Sequence, residues 1–156
     1  MSASNARLSA PAKAVAPDLN ITRIFDSPRA LVFEVWAKPE HLTQWWGPKG
    51  FTMPVCNMDF RPGGIFSYVM RGPDGTDYPF DGEFLEIVEP ERIVTRGTIH
   101  GDPGQVVTTT VTFVDHEGKT KLIVRQSYAF ESDATLCAPI GWSQMLDRLA
   151  DYLARH

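Results

Sequence analysis

Residues 139–156 read PIGWSQMLDRLADYLARH, and this segment governs the layout of the whole chain. Its apolar side chains follow spacings of three, one, three and four residues, at Trp142, Met145, Leu146, Leu149 and Leu153. That period is typical of an amphipathic helix with one buried stripe. Proline is tolerated in the first turn of a helix, because its missing N–H would have no partner there. We therefore predict one long C-terminal helix with Pro139 in its first turn.

The region 51–130 has a different sequence pattern, in which short apolar runs are separated by Gly, Pro and Asp. The runs predict six strands, at about 51–60, 64–71, 78–88, 92–99, 106–115 and 119–130. Each break has turn-forming residues, and turns this short join neighbouring antiparallel strands. The six strands should therefore form an antiparallel meander.

Before the meander, the pattern predicts an edge strand at 19–25 and two short helices. Ser27 and Pro28 are typical of a helix start, as a capping residue and a proline at the first helical position. Pro39 can open the second helix, over 40–45, which Gly47-Pro48 ends. Residues 1–17 are rich in Ala, Ser and Pro and predict a disordered tail. The single folded domain is then expected to span 18–156.

The order of elements indicates an α+β fold. A seven-stranded antiparallel sheet and one long C-terminal helix bury their apolar faces together only if the sheet curves around the helix. The two short helices after strand 1 would close one edge. This geometry leaves a cavity wherever the inward side chains do not fill the space.

Five motifs carry a resemblance to a known family: SPRALVF (27–33), PEHLTQWWGP (39–48), DFRPGG (59–64), GPDG (72–75) and PERI (90–93). With these motifs in this order, the chain resembles the START-like, or SRPBCC, superfamily. Within it, the chain is similar to the activator of heat-shock-protein-90 ATPase homologues, in their bacterial single-domain form. The resemblance implies the helix-grip fold and a cavity. Members include co-chaperone domains, aromatase/cyclases and lipid carriers, so the resemblance implies no single reaction.

The candidate ligand-binding residues lie where strand alternation or the helical stripe points inward. They are Trp36, Trp45, Trp46, Phe66, Tyr68, Arg96, Thr109, Gln126, Tyr128, Trp142, Met145 and Leu146. Mostly apolar walls with a few polar groups are typical of small-molecule sites. Two alternatives stay open: the tandem Trp45-Trp46 serves packing rather than a ligand, and Arg96 forms a surface pair with Glu83 on the next strand.

Composition and motifs exclude several functions. The formal net charge of −4 lacks the basic excess of nucleic-acid-binding proteins. No apolar run approaches the roughly 20 residues of a membrane-spanning helix. The four histidines show no metal-ligand spacing, and we find no cofactor motif. Two widely separated cysteines, Cys56 and Cys137, suit a reducing, cytoplasmic location.

Three functions follow. The leading hypothesis is a domain that binds a small apolar or aromatic molecule between sheet and helix, and whether it also catalyses a reaction stays open. The first alternative is a co-chaperone-like module that contacts a chaperone in the stress response. The second is a polyketide-cyclase-like or hydrolase-like enzyme, although no catalytic dyad supports it. The oligomeric state stays open, with a homodimer among the possibilities.

Overall fold

A computed structural model describes residues 14–156. The seven strands are β1 (Leu19–Phe25), β2 (Thr52–Met58), β3 (Ile65–Arg71), β4 (Asp77–Val88), β5 (Arg92–Ile99), β6 (Val106–His116) and β7 (Lys119–Tyr128). The helices are α1 (Arg29–Ala37), α2 (Pro39–Leu42) and α3 (Asp133–Ala154). The strands form one antiparallel sheet in the order β1-β7-β6-β5-β4-β3-β2, which confirms the predicted meander.

The predicted helix-grip architecture is confirmed, because the curved sheet packs one face against α3. The α3 stripe is buried as predicted, with Tyr152 in addition to the five apolar residues named above. Facing α3, strands β6 and β7 contribute buried side chains, with Val111 paired with Val124 and Phe113 paired with Leu122 across the two strands. None of the helices among residues 14–156 is long and apolar enough to cross a membrane.

The start of α3 differs from the prediction. Ser132 is its N-cap, and the Ser132 backbone N–H donates to Thr135 Oγ1 at 3.0 Å in a reciprocal capping box. Gln105, which is fully buried, fixes the preceding turn: its Nε2 donates to the Phe130 carbonyl at 2.7 Å, and its Oε1 accepts from the Ala129 N–H at 2.9 Å. Pro139 therefore lies inside the helix rather than in its first turn.

Two N-terminal boundaries also change. Pro28 is the N-cap of α1, without a side-chain hydrogen bond, so Ser27 does not cap the helix. Of the predicted tail, residues 1–13 lie outside the described residues. Ala16 is buried, and the Ala14 carbonyl accepts from the Glu131 N–H at 2.8 Å. Ala14 and Ala16 therefore contact the domain, upstream of the boundary predicted at residue 18.

Candidate functional site

A cavity of about 60 Å³ lies between the inner face of the sheet and the three helices. Its wall is mostly aromatic and aliphatic. The lining residues are Trp36, Leu42, Trp46, Phe60, Phe66, Tyr68, Phe80, Phe84, Ile93, Thr95, Thr109, Val111, Gln126 and Trp142. Every sheet strand from β3 to β7 contributes, and α1, α2, α3, the segment after α2 and the loop between β2 and β3 supply the rest.

Trp36 of α1 is the centre of the aromatic wall. Its ring stacks with Trp142 of α3 at a centroid distance of 6.1 Å and an interplanar angle of 15°. Trp46 meets it edge-on at 5.7 Å. The Trp36 ring is 6% exposed, and its Nε1–H has no hydrogen-bond partner among the described residues. Trp36 thus belongs to the cavity lining and carries a buried indole N–H without an acceptor in the described chain.

The two adjacent tryptophans have different roles. Trp45 is fully buried and its Nε1 donates to the Val35 carbonyl at 3.2 Å, away from the cavity lining. Trp46 is half-buried, lines the cavity and lies 5.8 Å from the Tyr68 ring. Trp45 therefore packs outside the cavity lining, whereas Trp46 is part of it.

Polar groups gather at the β6–β7 side of the cavity. Gln126 Nε2 donates to Thr109 Oγ1 at 2.9 Å, and the Tyr128 hydroxyl donates to Gln126 Oε1 at 2.8 Å. Burial, with a smaller contribution from the Asp18 charge, raises the pKa of Tyr128 to about 12, so this donor keeps its proton near neutral pH. Tyr128 itself does not line the cavity but holds Gln126 in place.

The structure brings seven of the predicted residues to the wall: Trp36, Trp46, Phe66, Tyr68, Thr109, Gln126 and Trp142. Of the two alternatives for Arg96, the structure shows the surface pair with Glu83 rather than a place in the cavity wall. The neighbouring Thr95 lines the cavity, so Arg96 points to the outer face, where it pairs with Glu83 at 2.8 Å and is 53% exposed. Met145 and Leu146 are buried in the helix–sheet core rather than in the cavity wall.

Sequence reasoning missed seven lining residues: Leu42, Phe60, Phe80, Phe84, Ile93, Thr95 and Val111. Alternation along β4 gave a usable signal, because Phe80, Gly82 and Phe84 share one face. A Cβ on Gly82 would lie 2.5 Å from Phe66 Cζ, so the glycine makes room for that ring on the inner face.

The described part of the cavity wall is uncharged. None of the described lining residues has a charged side chain. Burial raises the pKa of Tyr68 well above its usual range, so its phenol stays neutral. The lining therefore offers hydroxyl, amide and indole groups for binding, with no carboxylate or imidazole for acid–base chemistry. Residues 14–156 contain no cluster of three or more side chains suited to a metal ion.

Comparison with known proteins adds a family and a set of solved folds. The family model described as Activator of Hsp90 ATPase homolog 1-like protein matches residues 26–154. A protein from Chromobacterium violaceum superposes with a TM-score of 0.81 at 25% identity, covering 86% of this chain and 94% of that one. A Silicibacter pomeroyi protein named for the same family gives 0.79 at 25%, covering 90% and 100%.

A third solved structure, an uncharacterized Rhizobium leguminosarum protein, gives a TM-score of 0.75 at 27% identity, covering 90% of this chain and 95% of that one. The curated proteins compared with the chain include no significant match. The relatives therefore share the fold over nearly their whole length, and their names specify no ligand.

Proposed function

The chain belongs to the family of Activator of Hsp90 ATPase homolog 1-like proteins, and from that premise we propose that it is a small-molecule-binding domain. An apolar or aromatic ligand would occupy the cavity between the sheet and α3. The observation that carries the proposal is the aromatic-walled cavity in the middle of the core. The family fold is also compatible with a co-chaperone-like domain.

An unfilled cavity in the core favours a ligand-binding role over a purely structural one. Protein interiors pack as densely as organic crystals, and a cavity lowers stability in proportion to its volume. The wall combines apolar rings with a few hydroxyl and amide groups, as small-molecule sites do. A core selected for stability alone would gain by filling this space with a larger side chain at Val111 or Thr95.

The size of the cavity sets a condition on binding. An apolar cavity of about 150 Å³ is known to hold benzene, so about 60 Å³ is too small for an aromatic ring without movement. Trp46 is the half-buried indole of the wall, and Gly47 and Gly50 after it have positive φ angles of 99° and 85°. A ligand would therefore displace Trp46 outward as it binds.

A titration with acetophenone, a small neutral aromatic probe, tests the proposal. Binding to the ¹⁵N-labelled protein is followed by the indole and amide NMR signals. Val111→Leu adds a methylene to the cavity, so acetophenone affinity should fall at least about fivefold while the melting temperature stays equal or rises. Native mass spectrometry of protein purified from its own host would show whether a small molecule is retained.

Val124→Leu is the matched control. Val124 pairs with Val111 across the sheet and is equally buried, but it does not line the cavity. This variant should lose stability through overpacking and keep its acetophenone affinity. If the wild-type protein binds neither acetophenone nor its isostere α-methylstyrene up to their solubility limits, the proposed function is wrong.

The co-chaperone and cyclase alternatives stay predictions. The described surface shows no feature that favours a chaperone over other partners. The uncharged lining gives a cyclase or hydrolase no acid–base pair in the cavity.

A further inference from the structure

We propose that the ligand of this cavity is a neutral, flat molecule with a hydrogen-bond acceptor, and that the Trp36 indole N–H is the donor that binds this acceptor. The inference rests on the proposed function and adds the chemical class of the ligand: an aromatic or conjugated ketone, aldehyde, ester or similar uncharged carbonyl compound.

The first step is the state of the Trp36 indole. Its ring is 6% exposed and lines the cavity, and its Nε1–H has no acceptor among residues 14–156. Buried donors in native proteins nearly always have a partner, because leaving one unpaired costs free energy. The neighbouring Trp45 follows the rule, since its Nε1 donates to the Val35 carbonyl at 3.2 Å. A ligand acceptor would satisfy the Trp36 donor.

The second step concerns the polar groups around it. Gln126 Nε2 and Thr109 Oγ1 are paired with each other at 2.9 Å, and Gln126 Oε1 accepts from the Tyr128 hydroxyl at 2.8 Å. Each of these polar atoms therefore already has one partner within the protein. The Trp36 Nε1–H has none among residues 14–156, so it gains the most from a ligand acceptor.

The third step is charge and shape. Since none of the described lining residues is charged, a carboxylate or ammonium ligand would lose its hydration without gaining a counter-ion. Two parallel ring pairs flank the space: Trp36 with Trp142 at 15°, and Phe66 with Tyr68 at 24° and 4.6 Å. Flat apolar walls favour a flat ligand, which contacts ring faces over its whole area.

A competing explanation lies within the protein. The rings of Trp46 and Phe113 stand nearly perpendicular to Trp36, at 88° and 87°, with centroids 5.7 and 5.9 Å away. The indole N–H would then point at an aromatic face, a weak contact that leaves no donor for a ligand. Binding would in that case be indifferent to an acceptor.

Two isosteric probes separate these explanations. Acetophenone and α-methylstyrene have the same shape, but only acetophenone carries a carbonyl oxygen. We expect wild-type protein to bind acetophenone at least about fivefold more tightly, the effect of one neutral hydrogen bond. The Trp36 indole proton should shift downfield with acetophenone and not with α-methylstyrene. Benzoate, the charged counterpart, should bind more weakly than acetophenone.

Three variants identify the donor. Trp36→Phe keeps an aromatic ring and removes the N–H, so the preference for acetophenone should vanish while α-methylstyrene affinity is kept or rises. Trp45→Phe makes the same change outside the cavity and should keep the preference. Tyr68→Phe removes another buried donor of the wall and should also keep the preference. The single Trp→Phe variants assign the indole signals, so the wild-type shift decides the question even if Trp36→Phe does not fold.

The outcomes are distinct for the two proposals. Equal affinity for both isosteres, with no shift of the Trp36 indole proton, would overturn the acceptor assignment and leave the ligand-binding function standing. Loss of the preference in Tyr68→Phe rather than in Trp36→Phe would show that Tyr68 is the donor, and the assignment to Trp36 would be wrong. Binding of neither probe would overturn the proposed function and this inference together.

Discussion

The two cysteine thiols differ in burial, and we therefore expect them to differ in reactivity. Cys56, on β2, is half-buried, and that burial raises its pKa to about 11. The thiolate is the nucleophilic form, so at pH 8 only about 0.1% of such a thiol is reactive. Cys137, on α3, is exposed to solvent. The same residue type therefore has two reactivities in one domain.

We expect iodoacetamide at pH 8 to alkylate Cys137 well before Cys56, as read by peptide mass spectrometry over time. Cys137→Ser, which leaves Cys56 alone, should label slowly. Its rate should rise about tenfold per pH unit up to about pH 11, because each unit multiplies the thiolate fraction by about ten. Equal labelling of both thiols at pH 8 in folded protein would contradict this environment for Cys56.

At the residue level, the sequence identified the aromatic character of the site better than its individual members. Alternation placed Phe66, Tyr68 and Thr109 on the inner face, because the period of a strand is fixed at two. It could not separate Trp45 from Trp46, which follow the last turn of a short helix and have no strand period. The sequence left Arg96 between the cavity and a surface pair, because a bulge at Gly82 would have reversed the face of its partner Glu83.

At the level of elements, the helical stripe of α3 was readable and its first residue was not. Pro139 looked like a helix start, since proline is favoured in the first turn. The actual start is the Ser132–Thr135 capping box, with Thr in the place that Glu or Gln usually takes. The position of this helix start also depends on Gln105, which lies 27 residues before Ser132 and whose Nε2 donates a hydrogen bond to Ser132 Oγ.

Gly141 offers a test of α3 as an element. It lies inside the helix, and an added Cβ would meet only Pro48 Cγ, at an ordinary contact distance of 3.6 Å. Since alanine favours the helix over glycine, Gly141→Ala should raise the free energy of unfolding by about 0.5–1 kcal/mol. Urea denaturation at constant m-value measures this change.

Gly82→Ala is the opposite case and serves as its control. Here a Cβ would lie 2.5 Å from both the Arg96 carbonyl oxygen and Phe66 Cζ. The sheet backbone cannot move away cheaply, so this substitution should destabilise the domain by more than about 1 kcal/mol. A destabilising Gly141→Ala would mean that α3 and the Pro48 segment are closer than described.

For the whole molecule, the order from β2 to β7 was predictable because short turns join adjacent strands. The pairing of β1 with β7 was not, because two helices separate β1 from β2. The size of the cavity was not predictable. It depends on how far each ring leans into the space, and neighbouring side chains set that angle through packing. The same contacts determine whether the cavity can open, and here α3 reaches across to the segment that carries Trp46.

Arg148 of α3 makes that connection. Its Nη1 donates to the carbonyls of Trp46, Gly47 and Pro48 at 3.1, 2.9 and 3.1 Å. Burial lowers the pKa of Arg148, which shows that the guanidinium gives up hydration to reach this position. Hydrogen bonds to a charged group offset that cost. Arg148 therefore holds the segment that contributes Trp46 to the cavity lining against the long helix.

Arg148→Met should release this segment without unfolding the sheet. Three backbone amides report on it: Trp46 N–H bonds to Leu42, Lys49 N–H to Gln144 Oε1, and Phe51 N–H to Pro48. Charge-assisted hydrogen bonds of about 1.5–3 kcal/mol correspond to exchange about 10- to 100-fold faster at these amides. Hydrogen exchange by NMR measures the exchange rates of these amides beside those of the β5 and β6 amides, which should change far less.

Arg155→Met is the control, because Arg155 is an exposed arginine at the end of α3. This substitution should leave the exchange rates of all these amides unchanged. If ligand binding displaces Trp46 as proposed, the Arg148 variant should also bind acetophenone faster. Unchanged exchange at the three amides would show that packing of the Trp46 ring, rather than Arg148, keeps the cavity closed.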